Sequence, residues 1–67
     1  MDERLENCLR EERARRNLTQ AQLAELVGVS RKTINTVENG VFVPSTVLAL
    51  RLAKALETTV EALFTLR

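Results

Sequence analysis

Apolar residues recur every three to four positions along most of the chain, and the breaks in that rhythm fall at residues that start or stop helices. Leu5 and Leu9 stand four apart on one face of a first helix, predicted from about Asp2 to Arg16, with Glu12, Arg13 and Arg16 continuing the row. Asn17 stops it, because asparagine tolerates the left-handed conformation that a helix end often needs. Thr19 and Gln22 have the T-x-x-Q spacing of a capping box, so Thr19 caps a second helix that ends at Gly28 and buries Leu23, Ala24 and Val27. After the short turn Val29-Ser30, Ser30 caps a third helix that buries Ile34 and Val37 and ends at Asn39-Gly40.

Val41, Phe42, Val43 and Pro44 form an apolar linker, and the proline disfavours helix at the residue before it. Ser45 caps a fourth helix reaching about Leu56, with Leu48, Leu52 and Leu56 on its core face and Ala49, Leu50 and Ala53 beside them. A short fifth helix, capped by Thr58 or Thr59, carries Val60, Leu63 and Phe64. With two glycines, one proline and almost no strand-like alternation, the expected fold class is all-α, in a single domain spanning residues 1–67.

Composition removes whole classes of chemistry. The 67 residues include no histidine and one cysteine, which leaves nothing for a disulfide framework, a zinc cluster or histidine-based catalysis. A protein without enzymatic activity, cofactor or metal is expected, and no polar groups converge into an effector pocket. The charged start and the lack of a long apolar run argue against a signal peptide or a membrane span, so a cytoplasmic setting is expected, with Cys8 reduced and serving as a small helix side chain.

The residues from Gln20 to Val37 carry the functional signal. Two helices joined by a tight turn cross steeply only if a small residue sits at their contact, which Ala24 supplies as the fifth of the series. Gly28, the ninth, gives the turn a residue free to take positive φ, and Ile34 and Val37 hold the second helix from one side. At about 100° per residue, the side facing away from Ile34 and Val37 presents Lys32, Asn35, Thr36 and Asn39, flanked by Arg31 and Thr33. These are side chains that hydrogen-bond base edges or hold phosphates. A solvated polar surface explains any one of them equally well; the set favours duplex DNA. Gln20 stands at the first turn of its helix, where free N–H groups and the positive dipole end suit a phosphate. Thr19 and Ser30, at the two helix starts, complete the candidate DNA-binding set.

The stretch T19-Q20-A21-Q22-L23-A24-E25-L26-V27-G28-V29-S30-R31-K32-T33-I34-N35-T36-V37-E38-N39-G40 resembles the helix-turn-helix of Xre or Cro-type phage and bacterial repressors. The likeness continues through P44-S45, L48 to K54 and V60 to F64, and is greatest to compact stand-alone members typified by the enterococcal cytolysin repressor. It implies a five-helix, lambda-repressor-like DNA-binding domain with the motif at helices 2 and 3. It also implies a sequence-specific regulator, a repressor that binds a palindromic operator as a homodimer, with Gln20 clamping the DNA backbone. Two rival readings keep the fold: an autorepressing antitoxin that also binds a toxin protein, and a helical protein-interaction module that binds no DNA.

Glu38 falls toward the buried side of helix 3, where a carboxylate needs a cation. The resemblance assigns Arg13 that part, bracing helix 1 against the recognition helix; Arg10 or Arg16 could substitute. Arg10, Arg15 and Arg16 are also weaker candidates for phosphate contacts. Several positions depart from the family pattern. Glu12 replaces a usually apolar residue, so helix 1 is expected to pack less completely or turn, while Asn17 and Glu57 replace frequent glycines. Val41 and Val43 replace polar or basic residues, so they either fold onto the core or meet another subunit. The resemblance, whose compact members dimerise through helix 5 and the chain ends, implies a subunit interface made of Val41, Val43, Thr58, Val60, Leu63 and Leu66, with Phe42 and Phe64 in the core.

The formal net charge of +1 hides an uneven distribution. Residues 1–12 hold five acids and two bases, residues 13–37 one acid and five bases, and residues 38–67 three of each. The basic part is the candidate helix-turn-helix, which turns an apparently neutral chain into modest support for a nucleic-acid partner.

Overall fold

A computed structural model describes residues 3–67. Five helices follow one another, α1 (Leu9–Arg15), α2 (Gln20–Val27), α3 (Arg31–Glu38), α4 (Thr46–Ala55) and α5 (Val60–Leu63), with the helix-turn-helix at α2 and α3. Two short strands flank them, β1 (Leu5–Asn7) before α1 and β2 (Phe64–Leu66) after α5. They form an antiparallel ribbon in which Leu5 faces Leu66, Glu6 faces Thr65 and Asn7 faces Phe64.

The ribbon corrects the expected start of the first helix. Its predicted first residue, Asp2, lies outside the described residues, and the segment that was to be its opening turns is β1. The reason is local. Asn7 Oδ1 accepts from the Leu9 amide at 3.0 Å, setting the first turn of α1, while Asn7 Nδ2 donates to the Val37 carbonyl at 2.9 Å. One side chain thus starts α1 and ties it to the end of α3. The strand that precedes it is held by the other terminus, through Arg67 N to Arg4 O at 2.9 Å and Cys8 N to Leu63 O at 3.0 Å.

The remaining helix starts follow the capping residues. Thr19 and Gln22 make both bonds of the capping box, at 3.0 and 2.8 Å. Ser30, Ser45 and Thr59 accept from Thr33, Leu48 and Ala62 amides, and Thr59 rather than Thr58 caps α5. Helices α1 to α4 all end on a left-handed residue, Asn17, Gly28, Gly40 and Glu57, with φ between 55° and 76°. In each case the next amide reaches back to close the turn: Leu18 to Arg13 O, Val29 to Ala24 O, Val41 to Thr36 O and Thr58 to Ala53 O. At Gly28 a side chain would meet Arg51 Nη1 only at 3.8 Å, so backbone conformation rather than space calls for glycine.

The core gathers one or more residues from every helix: Leu9, Leu23, Ala24, Val27, Ile34, Val37, Leu48, Ala49, Leu52, Ala53, Leu56, Leu63 and Phe64. Three expectations change here. Leu63, expected at a subunit interface, is 1% exposed and belongs to the core, because the short α5 turns it inward beside Phe64. Phe42, expected in the core, is 46% exposed on the linker, and Leu50, expected beside the core face of α4, is 57% exposed. Glu12 keeps a mostly buried side chain, 15% exposed, and pairs at 3.2 Å with the exposed Arg15 one turn on.

Candidate nucleic-acid interface

Helix α3 projects one side from the body because Ile34 and Val37 anchor only the other. Arg31, Lys32, Asn35 and Asn39 are exposed on the projecting side, and Thr33 and Thr36 are half-buried at its margins. Thr36 Oγ1 donates to the Thr33 carbonyl at 2.9 Å, and Ser30 and Thr33 hydroxyls meet at 3.0 Å, so these three hydroxyls serve the helix itself. An open cleft of about 460 Å³ is lined by Gln20, Arg31, Lys32 and Asn35. It brings the start of α2 together with the outward face of α3. A second recess, about 670 Å³, runs from Arg13 past Asn17, Thr19 and Gln20 to Arg31. Arg31 and Lys32 make no ion pair among the described residues.

Behind this face the Glu38 side chain is fully buried, and Arg13 Nε donates to its Oε2 at 2.7 Å. Arg13 Nη2 reaches Oε1 at 3.3 Å, Arg10 Nε at 3.4 Å and Gln20 Nε2 at 3.0 Å. Burial acts to raise the carboxyl's pKa, but the hydrogen bonds from Arg13, Gln20 and Arg10, with the Arg13 charge, outweigh it and hold the group below its ordinary value of 4.5. Arg13 also donates to the Leu18 carbonyl at 2.8 Å, so one guanidinium joins the end of α1, the entry to α2 and the end of α3. Both Arg13 and Arg10 serve Glu38. Arg16 instead lies 3.4 Å from Glu57.

Sequence reasoning missed the links that run forward from Glu38. Gln20 Nε2 donates to Asn35 Oδ1 as well, at 3.2 Å, and Arg10 Nη2 donates to Asn39 Oδ1 at 2.9 Å. The available signal was the shared helical face of Asn35 and Asn39, four residues apart, whose side chains also join at 3.2 Å. Of the residues expected at a subunit interface, Val41 and Leu66 are exposed at 78% and 64%, with Val43 also exposed; Thr58 and Val60 are half-buried. Among the described residues no three histidine, cysteine or acidic side chains gather as a metal site, and no helix is long and apolar enough to cross a membrane.

This arrangement has known counterparts. Residues 9–63 match the protein family described as Helix-turn-helix. The chain belongs to that family. Among its helix-turn-helix relatives, the HTH-type transcriptional regulator YgzD of Bacillus subtilis is 42% identical over 60 residues, which cover 90% of this chain and 91% of that protein. An HTH-type transcriptional regulator of Methanothermobacter thermautotrophicus is 48% identical over 52 residues, covering 78% and 75% of the two chains. Among solved structures, the restriction-modification controller protein C.AhdI from Aeromonas hydrophila superposes with a TM-score of 0.77 at 39% identity, over 81% of this chain and 82% of that one. The clp gene regulator ClgR from Corynebacterium glutamicum gives a TM-score of 0.74 at 33% identity, over 78% of this chain and 55% of that one. The five-helix body and the placement of the helix-turn-helix are thus shared with regulators.

Proposed function

We propose that this helix-turn-helix protein is a sequence-specific transcriptional repressor of the Xre or Cro type that binds a palindromic operator as a homodimer. The observation that carries the reading is the cleft at the junction of α2 and α3, where Gln20, Arg31, Lys32 and Asn35 face solvent together. The N-terminus of α2, opened by Gln20, offers free backbone amides to a phosphate, which fixes the protein on the backbone. Arg31, Lys32 and Asn35 then reach the major groove, where base edges carry the sequence information. Thr19, Ser30, Thr33 and Thr36 support these helix starts and present hydroxyls at the rim, while Asn39 buttresses the far end of the face. The names of the relatives, all transcriptional regulators or controller proteins, support a role in transcription.

Dimer formation is supported by exposed apolar surface on the linker, α4 and the ribbon. Val41, Phe42, Val43 and Leu66 are exposed, and Leu50 lines a recess of about 400 Å³ with Leu5, Pro44 and Val60. A second copy of the chain covers this surface and sets the two α3 helices about one DNA turn, roughly 34 to 36 Å, apart. Selection of bound duplexes from a random library tests the reading. It predicts enrichment of a two-fold symmetric site with half-sites about one turn apart. A library that yields no enriched duplex would overturn it.

A further inference from the structure

We infer that Asn35 reads its base as a hydrogen-bond donor only, and that the side chains behind it thereby select guanine over adenine at that position. The inference rests on the proposed contact of α3 with the major groove. It starts from the two groups whose hydrogen-bonding sense is fixed. A carboxylate only accepts, so the Gln20 atom 3.0 Å from Glu38 Oε1 is the amide nitrogen Nε2. A guanidinium only donates, so the Asn39 atom 2.9 Å from Arg10 Nη2 is the amide oxygen Oδ1, which turns Asn39 Nδ2 the other way. Both amide nitrogens then converge on one atom, Asn35 Oδ1, at 3.2 Å each.

The result is a closed ring, Arg10 to Glu38 to Gln20 to Asn35 to Asn39 and back to Arg10. A carbonyl oxygen has two lone pairs, and the ring occupies both on Asn35. Its Nδ2 makes no hydrogen bond among the described residues, and Asn35 lines the cleft shared with Gln20, Arg31 and Lys32. A free asparagine pairs with adenine by accepting from N6 while donating to N7. Here the accepting half is already used, and adenine's N6 amino group would face a donor. Guanine offers O6 and N7, both acceptors, and suits an Asn35 that only donates, in a cleft that also holds the cations Arg31 and Lys32. Gln20 and Asn39 are in this sense positioning residues: they set what Asn35 can recognise without needing to touch the base.

Duplex selection with the full chain and three variants tests this. Asn35→Ala locates the base pair, as the one whose preference it erases; Asn35 is exposed, so the fold tolerates the change. At that base pair the unaltered protein is expected to enrich guanine. The double change Gln20→Ala with Asn39→Ala frees the Asn35 oxygen, and adenine should rise about ten-fold relative to guanine at that base pair, a ratio read within each selection and independent of overall affinity. Asn35→Asp presents an acceptor in place of the donor and should move the preference to cytosine, whose N4 donates. Adenine enriched by the unaltered protein at the base pair that Asn35→Ala erases would overturn the inference. So would an Asn35→Ala selection that matches the unaltered protein at every base pair. If no duplex is enriched by any of these proteins, the DNA-binding reading itself fails, and the inference with it.

Discussion

Single residues decide how firmly the recognition helix is held. Glu38 is buried and joined to Arg13, Arg10 and Gln20, so Glu38→Ala leaves the Arg13 guanidinium without its partner in a mostly buried place. A loss of about 2 to 4 kcal/mol is expected, read as a lowered midpoint in chemical denaturation; an unchanged midpoint would remove the bracing role. The same group gives a pH dependence. Its folded-state pKa is held below the ordinary value of 4.5, so its contribution is fully present above that value and disappears as the pH falls through the lower, folded pKa. In Glu38→Gln the acid slope of the melting temperature should flatten in that window below 4.5. Glu57 shows the reverse situation, an exposed residue in a costly backbone state at φ 55°. Its contact with Arg16 at 3.4 Å is solvent-exposed and worth little. Glu57→Gly should therefore stabilise the protein by about 1 kcal/mol, raising the melting temperature by roughly 4 to 8 °C, and a lowered melting temperature would show that the ion pair outweighs the strain. That Glu38 needs a cation was legible from its place beside Val37. Arg13 was named by the family resemblance, with Arg10 as a substitute, and not by spacing, since side-chain reach across 25 or 28 residues leaves no periodic trace in a sequence.

Whole elements were legible where local chemistry marks them. The starts of α2, α3 and α4 carry Thr19, Ser30 and Ser45, and their ends carry Gly28, Gly40 and Glu57, of which only the last is an unusual choice. The ribbon of β1 and β2 was not legible, for a physical reason. Strands of three residues show no alternation, and their pairing joins positions 61 residues apart, Leu5 and Leu66. Leu5 and Leu9 therefore looked like neighbours on a helix face although Leu5 lies in the ribbon. Asn7 is the hinge between the two readings, since it accepts from Leu9 N and donates to Val37 O. Asn7→Ala leaves that amide and that carbonyl unpaired and should cost about 1 to 3 kcal/mol, with the amide exchange of Leu9 accelerating most. If Leu9 stays as protected as before, the side chain is not what starts α1.

At the scale of the whole molecule, the projecting cations and most of the exposed apolar residues lie in different parts of the fold, Leu26 on α2 of the helix-turn-helix being an exception. The span 13–37 carries five bases to one acid, and its projecting cations Arg31 and Lys32 stand on the α3 face. The exposed apolar residues Val41, Phe42, Val43, Leu50 and Leu66 lie on the linker, α4 and the ribbon. The sequence pointed to Val41, Val43 and Leu66 as surface but misplaced Leu63, Phe42 and Leu50. Helical spacing gives a residue's angle around its own helix, and that angle does not report how far a four-residue helix such as α5 tips toward the core. Leu50→Asp puts a charge on the proposed contact between copies while leaving the core untouched. Sedimentation should then show monomer at concentrations where the unaltered protein is dimeric, with operator affinity reduced in parallel; an unaltered protein that is monomeric in the presence of its duplex would contradict the dimer.

The most direct test of the central claim, that the α2 and α3 cleft is where this protein meets DNA, is the salt dependence of binding to a selected duplex. It should be measured for the unaltered chain and for Arg31→Ala with Lys32→Ala, both exposed changes. The account predicts an affinity that falls steeply with salt. In the variant, each lost base contact should cost roughly 1 to 3 kcal/mol and each lost phosphate contact should flatten the slope by about one unit. Affinity and slope both unchanged in the variant would place the interface elsewhere on the molecule.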